Sequence, residues 1–124
     1  MLEQRALTEE VIGLAIGVHR ETGPGLLESF YVSCLCLALE EAGLPFQRQV
    51  LLPGTFRGRV ITQAFRADIV VSDAVIVEVK ALALLVPAHE FQLRTYLRVS
   101  GIRVGLLMNF HARRLVDGLQ RFIV

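Results

Sequence analysis

A chain of 124 residues, 53% hydrophobic and 20% charged, is sized to bury one core and too apolar to stay disordered, so a single domain over 1–124 is expected. Its longest apolar runs, 11–18 and 81–88, fall short of the roughly 20 residues that cross a bilayer. Acids at Glu3, Glu9 and Glu10 with no cleavage site after an apolar run do not make a signal peptide, so a cytoplasmic protein without a membrane partner is expected. A net charge of +1 excludes a global basic field, yet twelve of the 13 basic residues are arginine and the single lysine is Lys80.

In chain order, Thr8 is placed to cap a helix whose first turn carries Glu9 and Glu10 and whose buried face carries Val11, Ala15 and Val18. Gly23-Pro24-Gly25 breaks it, and a second helix over 26–42 follows, with Leu27, Phe30, Cys34, Leu37 and Ala38 at helical spacing and Gly43 as its stop. The period then changes to two. A strand over 46–52 ends at Pro53-Gly54, and another covers 62–71, with 56–61 as its leading half or a separate edge piece. After Ser72 and Asp73 comes a strand over 74–80, and then a helix that opens at Pro87 and closes at Gly101. A short buried strand covers 103–109. The tail is ambiguous, with 119–124 as a further edge strand. This order predicts a mixed sheet with helices on its faces.

The two cysteines, Cys34 and Cys36, point to different sides of a helix and lack a second pair to complete a zinc site, which leaves two buried thiols in a reducing compartment. His19, His89 and His111 have no metal-ligand spacing.

Strand patterning brings two acids together. Phe65, Ala67, Ile69 and Val71 share one face, opposite Arg66, Asp68 and Val70; Val75, Val77 and Val79 share one, opposite Ile76, Glu78 and Lys80. Matching the apolar faces through a three-residue loop sets Val71 against Val75 and Asp68 against, or nearly against, Glu78, with Lys80 on the same face. Facing carboxylates repel. A hard divalent cation such as Mg²⁺ or Mn²⁺ turns that cost into binding energy; the alternative is a solvated strand face with weak Glu78–Lys80 or Asp68–Arg66 ion pairs. The apolar flanks of both strands favour a covered site. Gly25, Glu28 and Tyr31 recur every three residues on one helix face. Glu28 is the only charge between Glu21 and Glu40, either a buried functional acid or a solvent-facing filler. On the helix after Pro87, the stripe of His89, Gln92, Leu93, Tyr96 and Val99 carries three polar groups, which either meet a polar site or satisfy one another within the core.

The segment Gly25-Leu26-Leu27-Glu28-Ser29-Phe30-Tyr31 resembles the motif that names the GxxExxY family. Phe65–Asp68, Ile76–Ala81, His89–Leu93 with Tyr96, and Gly105–Phe110 resemble its remaining blocks in order, so that the likeness runs from about Val11 to the C-terminus. That family is grouped with the PD-(D/E)XK nucleases. The resemblance implies an α/β, restriction-endonuclease-like fold, a mixed β-sheet flanked by helices. It implies that Asp68 and Glu78 hold Mg²⁺ or Mn²⁺, that Lys80 positions the attacking water, that Glu28 completes the outer shell of the metal, and that Gln92 and Tyr96 line the site, with Tyr31, Arg66, His89 and Asn109 in support. Ala67 stands where the superfamily name has proline, a variable position. The expected activity is Mg²⁺-dependent hydrolysis of phosphodiester bonds in DNA or RNA, an endonuclease type of reaction. The alternative is a non-catalytic module that binds nucleic acid or protein. A third reading has the chain act as a homodimer or as a subunit of a larger assembly that supplies the missing substrate surface.

Overall fold

A computed structural model of the chain describes residues 4–124; Glu3, one of the acids read at the N-terminus, lies outside the described residues. The elements run α1 (Arg5–Thr22), α2 (Glu28–Glu41), β1 (Phe46–Phe56), β2 (Arg59–Val71), β3 (Val75–Lys80), α3 (Pro87–Ser100), β4 (Val104–Asn109), a 3₁₀ turn (Leu115–Gly118) and β5 (Leu119–Ile123). The five strands lie in sequence order in one sheet, antiparallel except for β3 and β4. A parallel pair needs a crossover, and α3 supplies it.

Two cores sandwich the sheet. Val11, Ala15 and Val18 of α1 and Tyr31, Val32, Leu35 and Leu39 of α2 pack on Ile69, Val71, Val75, Val77 and Val79. On the other face Leu93, Tyr96 and Leu97 of α3 pack on Val70, Ile76, Leu107 and Phe122. Gly105 makes that close approach workable, since a Cβ there would lie 3.0 Å from Leu93. No helix among the described residues is long and apolar enough to cross a membrane.

Several expectations are corrected. Thr8 does not cap α1. The helix starts at Arg5, steadied by an Arg5–Glu9 pair at 3.0 Å, and buried Thr8 donates to the Arg5 carbonyl at 3.0 Å. Helix α2 begins at Glu28 and not at residue 26, so Gly25 (φ 92°) sits in the preceding turn and does not share a helix face with Glu28 and Tyr31. The stripe Leu27, Phe30 and Leu37 faces outward, with Leu27 75% exposed; the packed face is Tyr31, Val32, Leu35, Cys36 and Leu39. Cys36 is buried, but Cys34 is only half-buried. Strand β1 runs through Pro53 to Phe56, because a proline costs no ladder donor on an edge strand, and a bulge between Leu52 and Gly54 absorbs the irregularity. Residues 56–61 thus hold a hairpin turn at Arg57-Gly58, both with positive φ. The ambiguous tail does form an edge strand, β5.

Candidate metal centre

The β2–β3 pairing sets Val71 opposite Val75, Val70 opposite Ile76 and Ile69 opposite Val77. The three-residue loop expected at Ser72–Ala74 is closed by the Ala74 N–H donating to the Val71 carbonyl at 2.9 Å. The next rung would join Asp68 to Glu78, and there the backbone ladder stops. Instead the Asp68 N–H donates to Glu78 Oε1 at 2.9 Å, and the Val79 N–H donates to Asp68 Oδ2 at 2.8 Å. Each carboxylate replaces a backbone acceptor of the neighbouring strand, so the strands part around the acids while their amides stay satisfied. On the other side of β2 the pairing with β1 also skips this position: Arg48 meets Ile69 and Val50 meets Ala67, while the intervening Gln49 has φ 55°.

This break corrects the expected face of Phe65 and Ala67. They pack with α3, together with Val70, whereas Ile69 and Val71 pack with α1 and α2. Alternation holds on each side of Asp68 and fails across it.

Glu78 is buried, 3% exposed. Burial, reinforced by the Asp68 charge, pushes its carboxyl up to about 8. A group held so far from its ordinary value by desolvation and a like charge marks a place where positive charge is wanted. The other residues converge from both faces. Glu28, half-buried in the first turn of α2, accepts from the Ala81 N–H just after β3. Burial raises its carboxyl and Asp68 adds to this, while Lys80 and His89 oppose the shift. Lys80 Nζ donates to Gln92 Oε1 at 3.0 Å, which ties the ammonium to α3. Gln92 is exposed, so it stands at the mouth of the site and not in the core-facing stripe. The Tyr96 hydroxyl is pushed up by burial and by the Glu78 and Asp68 charges, and it is hydrogen-bonded to the backbone N–H of Arg66.

The remaining expected residues are near the site without lining it. Tyr31, fully buried, donates its hydroxyl to the Gly23 carbonyl at 2.6 Å and accepts from the Leu26 N–H at 3.1 Å, with its ring stacked on Phe110 at 4.7 Å. It thereby fixes the turn that delivers Glu28. His89 Nδ1 accepts the Val86 N–H at 3.0 Å and closes the start of α3. Buried Asn109 donates to the Leu82 carbonyl at 2.9 Å and accepts from the Leu82 N–H at 3.0 Å and the His111 N–H at 3.2 Å, which pins the loop after Lys80. The Arg66 side chain is exposed, and its backbone is what touches Tyr96. The Ala81 and Arg66 amides were beyond the reach of residue-type reasoning, since any residue supplies an N–H.

The fit to a cation rests on the donor set. Asp68 and Glu78 offer hard oxygens on two rigid strands, and each has one oxygen engaged by a backbone N–H. Two carboxylates plus waters suit Mg²⁺ or Mn²⁺, which keep part of their hydration, and would not suit a metal that requires a full protein cage. Among the described residues no group of three or more His, Cys, Asp or Glu side chains is arranged to hold a metal.

A mixed five-stranded sheet with helices on both faces, opened at a carboxylate pair followed two residues on by lysine, defines an α/β protein of the restriction-endonuclease-like class. Residues 5–122 match the family model of the PD-(D/E)XK nuclease superfamily, and the chain belongs to that superfamily. No curated protein and no solved structure matches it.

Proposed function

We propose that the chain is a Mg²⁺- or Mn²⁺-dependent nuclease, with Asp68, Glu78 and Lys80 at its centre. The observation that carries this reading is the interruption of the β2–β3 ladder by the two carboxylates, one of them buried. A structural protein gains nothing by replacing a backbone rung with a carboxylate pair that forces buried Glu78 well above its ordinary value.

Asp68 and Glu78 would hold the cation, which when bound neutralises phosphate charge and acidifies water. Lys80, tethered by Gln92, presents a compact ammonium with three donors to orient the attacking water and to counter charge developing on the phosphate. Attack forms a new P–O bond and breaks the ester bond on the opposite side, releasing an alcohol. Glu28, anchored to the Ala81 amide and within electrostatic reach of both Lys80 and Asp68, would complete the outer shell of the metal. Tyr96 closes the floor of the site on the α3 side.

The same reading extends to the GxxExxY group, and each signature residue has a physical task in support. Gly25 takes a positive φ that other side chains resist, Glu28 reaches the end of β3, and Tyr31 clasps the turn between them. It also extends to one domain over the whole chain acting in the cytoplasm.

The test is cleavage of end-labelled single- and double-stranded DNA and RNA with Mg²⁺ or Mn²⁺. Wild type is expected to cleave at least one substrate. Lys80→Ala and Asp68→Asn should each lose about 10²-fold or more, the usual cost of removing an electrostatic stabiliser. Cleavage by both variants at the wild-type rate would remove these residues from the mechanism.

A further inference from the structure

The hairpin of β1 and β2 is longer than the sheet needs. Strand β3 pairs with β2 only over Ile69–Val71. Up to the Leu52–Phe65 pair the hairpin rests on the α3 core. Beyond that it continues through Gly54–Ile61, Thr55–Val60 and Phe56–Arg59 to the turn at Arg57-Gly58. Five residues of strand from Leu52 to Arg57 carry the tip about 17 Å past the packed region.

The chemistry of this ribbon differs from the rest of the chain. No acid occurs between Glu41 and Asp68, while Arg48, Arg57, Arg59 and Arg66 fall in that span. Phe56, Val60 and Ile61 are exposed at 53–65%. Because directly paired residues share a face, Phe56, Arg59 and Ile61 form one surface, and the Arg57 guanidinium lies 5.0 Å from the centre of the Phe56 ring. Arg57 itself sits at φ 52°, in a two-residue turn where Asn, Asp or Gly is the relaxed choice. An arginine kept in a strained tip position marks use and not packing.

We infer that the β1–β2 ribbon is a grip for double-stranded DNA, inserted in the major groove beside the site; this rests on the nuclease reading above. Charge complementarity selects a polyanion. A second copy of the chain is disfavoured, since an isologous contact would set arginines against arginines with no acid in the ribbon. The major groove of B-form DNA, about 12 Å wide, admits a two-stranded ribbon, whereas the deep and narrow groove of A-form RNA does not. The apolar residues suit thymine methyl groups, and the arginines suit phosphates or guanine edges. Strand β2 itself connects grip to site: Arg59 and Asp68 are nine residues apart, about 30 Å of strand, less than one helical turn of DNA.

The experiment is fluorescence anisotropy in EDTA, where no cleavage runs, with a labelled 20-base-pair DNA duplex and the RNA duplex of the same sequence. Wild type, the double variant Arg57→Asn with Arg59→Thr, and Arg20→Ser as a surface control are titrated at several salt concentrations. The double variant should bind DNA about tenfold more weakly, with a log K against log salt slope shallower by about 1.8, two phosphate contacts' worth. Its melting temperature should match or exceed wild type, because asparagine relaxes the turn; loss of binding without loss of stability separates a grip from a scaffold. Arg20→Ser should match wild type. An unchanged slope and affinity in the double variant, tighter binding of the RNA duplex, or a change in sedimentation mass in place of DNA affinity would overturn the inference. Ribbon-dependent binding with no cleavage in Mn²⁺ would sink the nuclease reading alone. Cleavage that proceeds equally in the double variant would sink the grip alone.

Discussion

Replacing Glu78 by glutamine should make the metal-free protein more stable and flatten its dependence on pH. The Glu78 carboxyl is raised from an ordinary 4.5 to about 8, first by burial and then by Asp68. Between those values the folded chain holds a proton that the unfolded chain has released, so the contribution of Glu78 to stability is full below 4.5 and is lost as pH rises through the window. Each pH unit costs about 1.4 kcal/mol. At pH 7 the accumulated loss is on the order of 3 kcal/mol, which for a chain of this length corresponds to a melting temperature lower by roughly 10 °C. Glutamine is nearly isosteric, keeps an oxygen to accept the Asp68 N–H, and carries an amide that can face Asp68 where the protonated acid would. Thermal unfolding in EDTA at pH 5, 6, 7 and 8 provides the assay. Glu28 is raised in the same direction and contributes a slope common to both proteins, so the difference between them isolates Glu78. A Glu78→Gln curve parallel to wild type from pH 5 to 8 would mean that Glu78 does not carry this slope.

Mg²⁺ or Mn²⁺ at about 100 times its dissociation constant should stabilise wild type by about 2.7 kcal/mol, and Asp68→Asn should abolish the shift while leaving the Val79 N–H satisfied; an equal shift in the variant places the metal elsewhere. Metal affinity measured by calorimetry should rise with pH up to about 8, because binding must displace the Glu78 proton; affinity independent of pH contradicts this. Tyr31→Phe keeps the Phe110 stack but removes the hydroxyl partner of the Gly23 carbonyl and the Leu26 N–H, so denaturant unfolding should show a loss of about 1–3 kcal/mol, and unaltered stability would mean that the hydroxyl does not hold the turn.

The strand register was legible because two apolar faces admit only one pairing, and the three-residue loop with Val71 opposite Val75 followed directly. The facing of Asp68 and Glu78 was legible for the same reason. What patterning does not contain is the way the pair meets: side-chain acceptors take over the ladder, and alternation fails across Asp68, so that Ala67 joins the opposite core. Helix α2 misled periodicity because it is apolar on nearly every side. Leu27, Phe30 and Leu37 make as good a stripe as Tyr31, Leu35 and Leu39, and only the position of the sheet chooses between them. Gln92 shares a stripe with Leu93 and Tyr96, yet it lies at the edge of the buried arc, where its amide reaches Lys80 from the solvent side. Tyr31 and Asn109 enter as supporting residues only through the family blocks they sit in. Their polar groups serve the loops that carry Lys80 and Glu28.

Asp68 and Glu78 together are the proposed seat of a divalent cation. The most direct measurement is the anomalous difference density of Mn²⁺ in crystals soaked at pH 8, where the Glu78 proton is readily displaced. A peak at the two carboxylates is expected in wild type and none in Asp68→Asn. A saturating soak with no density at the pair, or with density only elsewhere on the chain, would contradict this assignment.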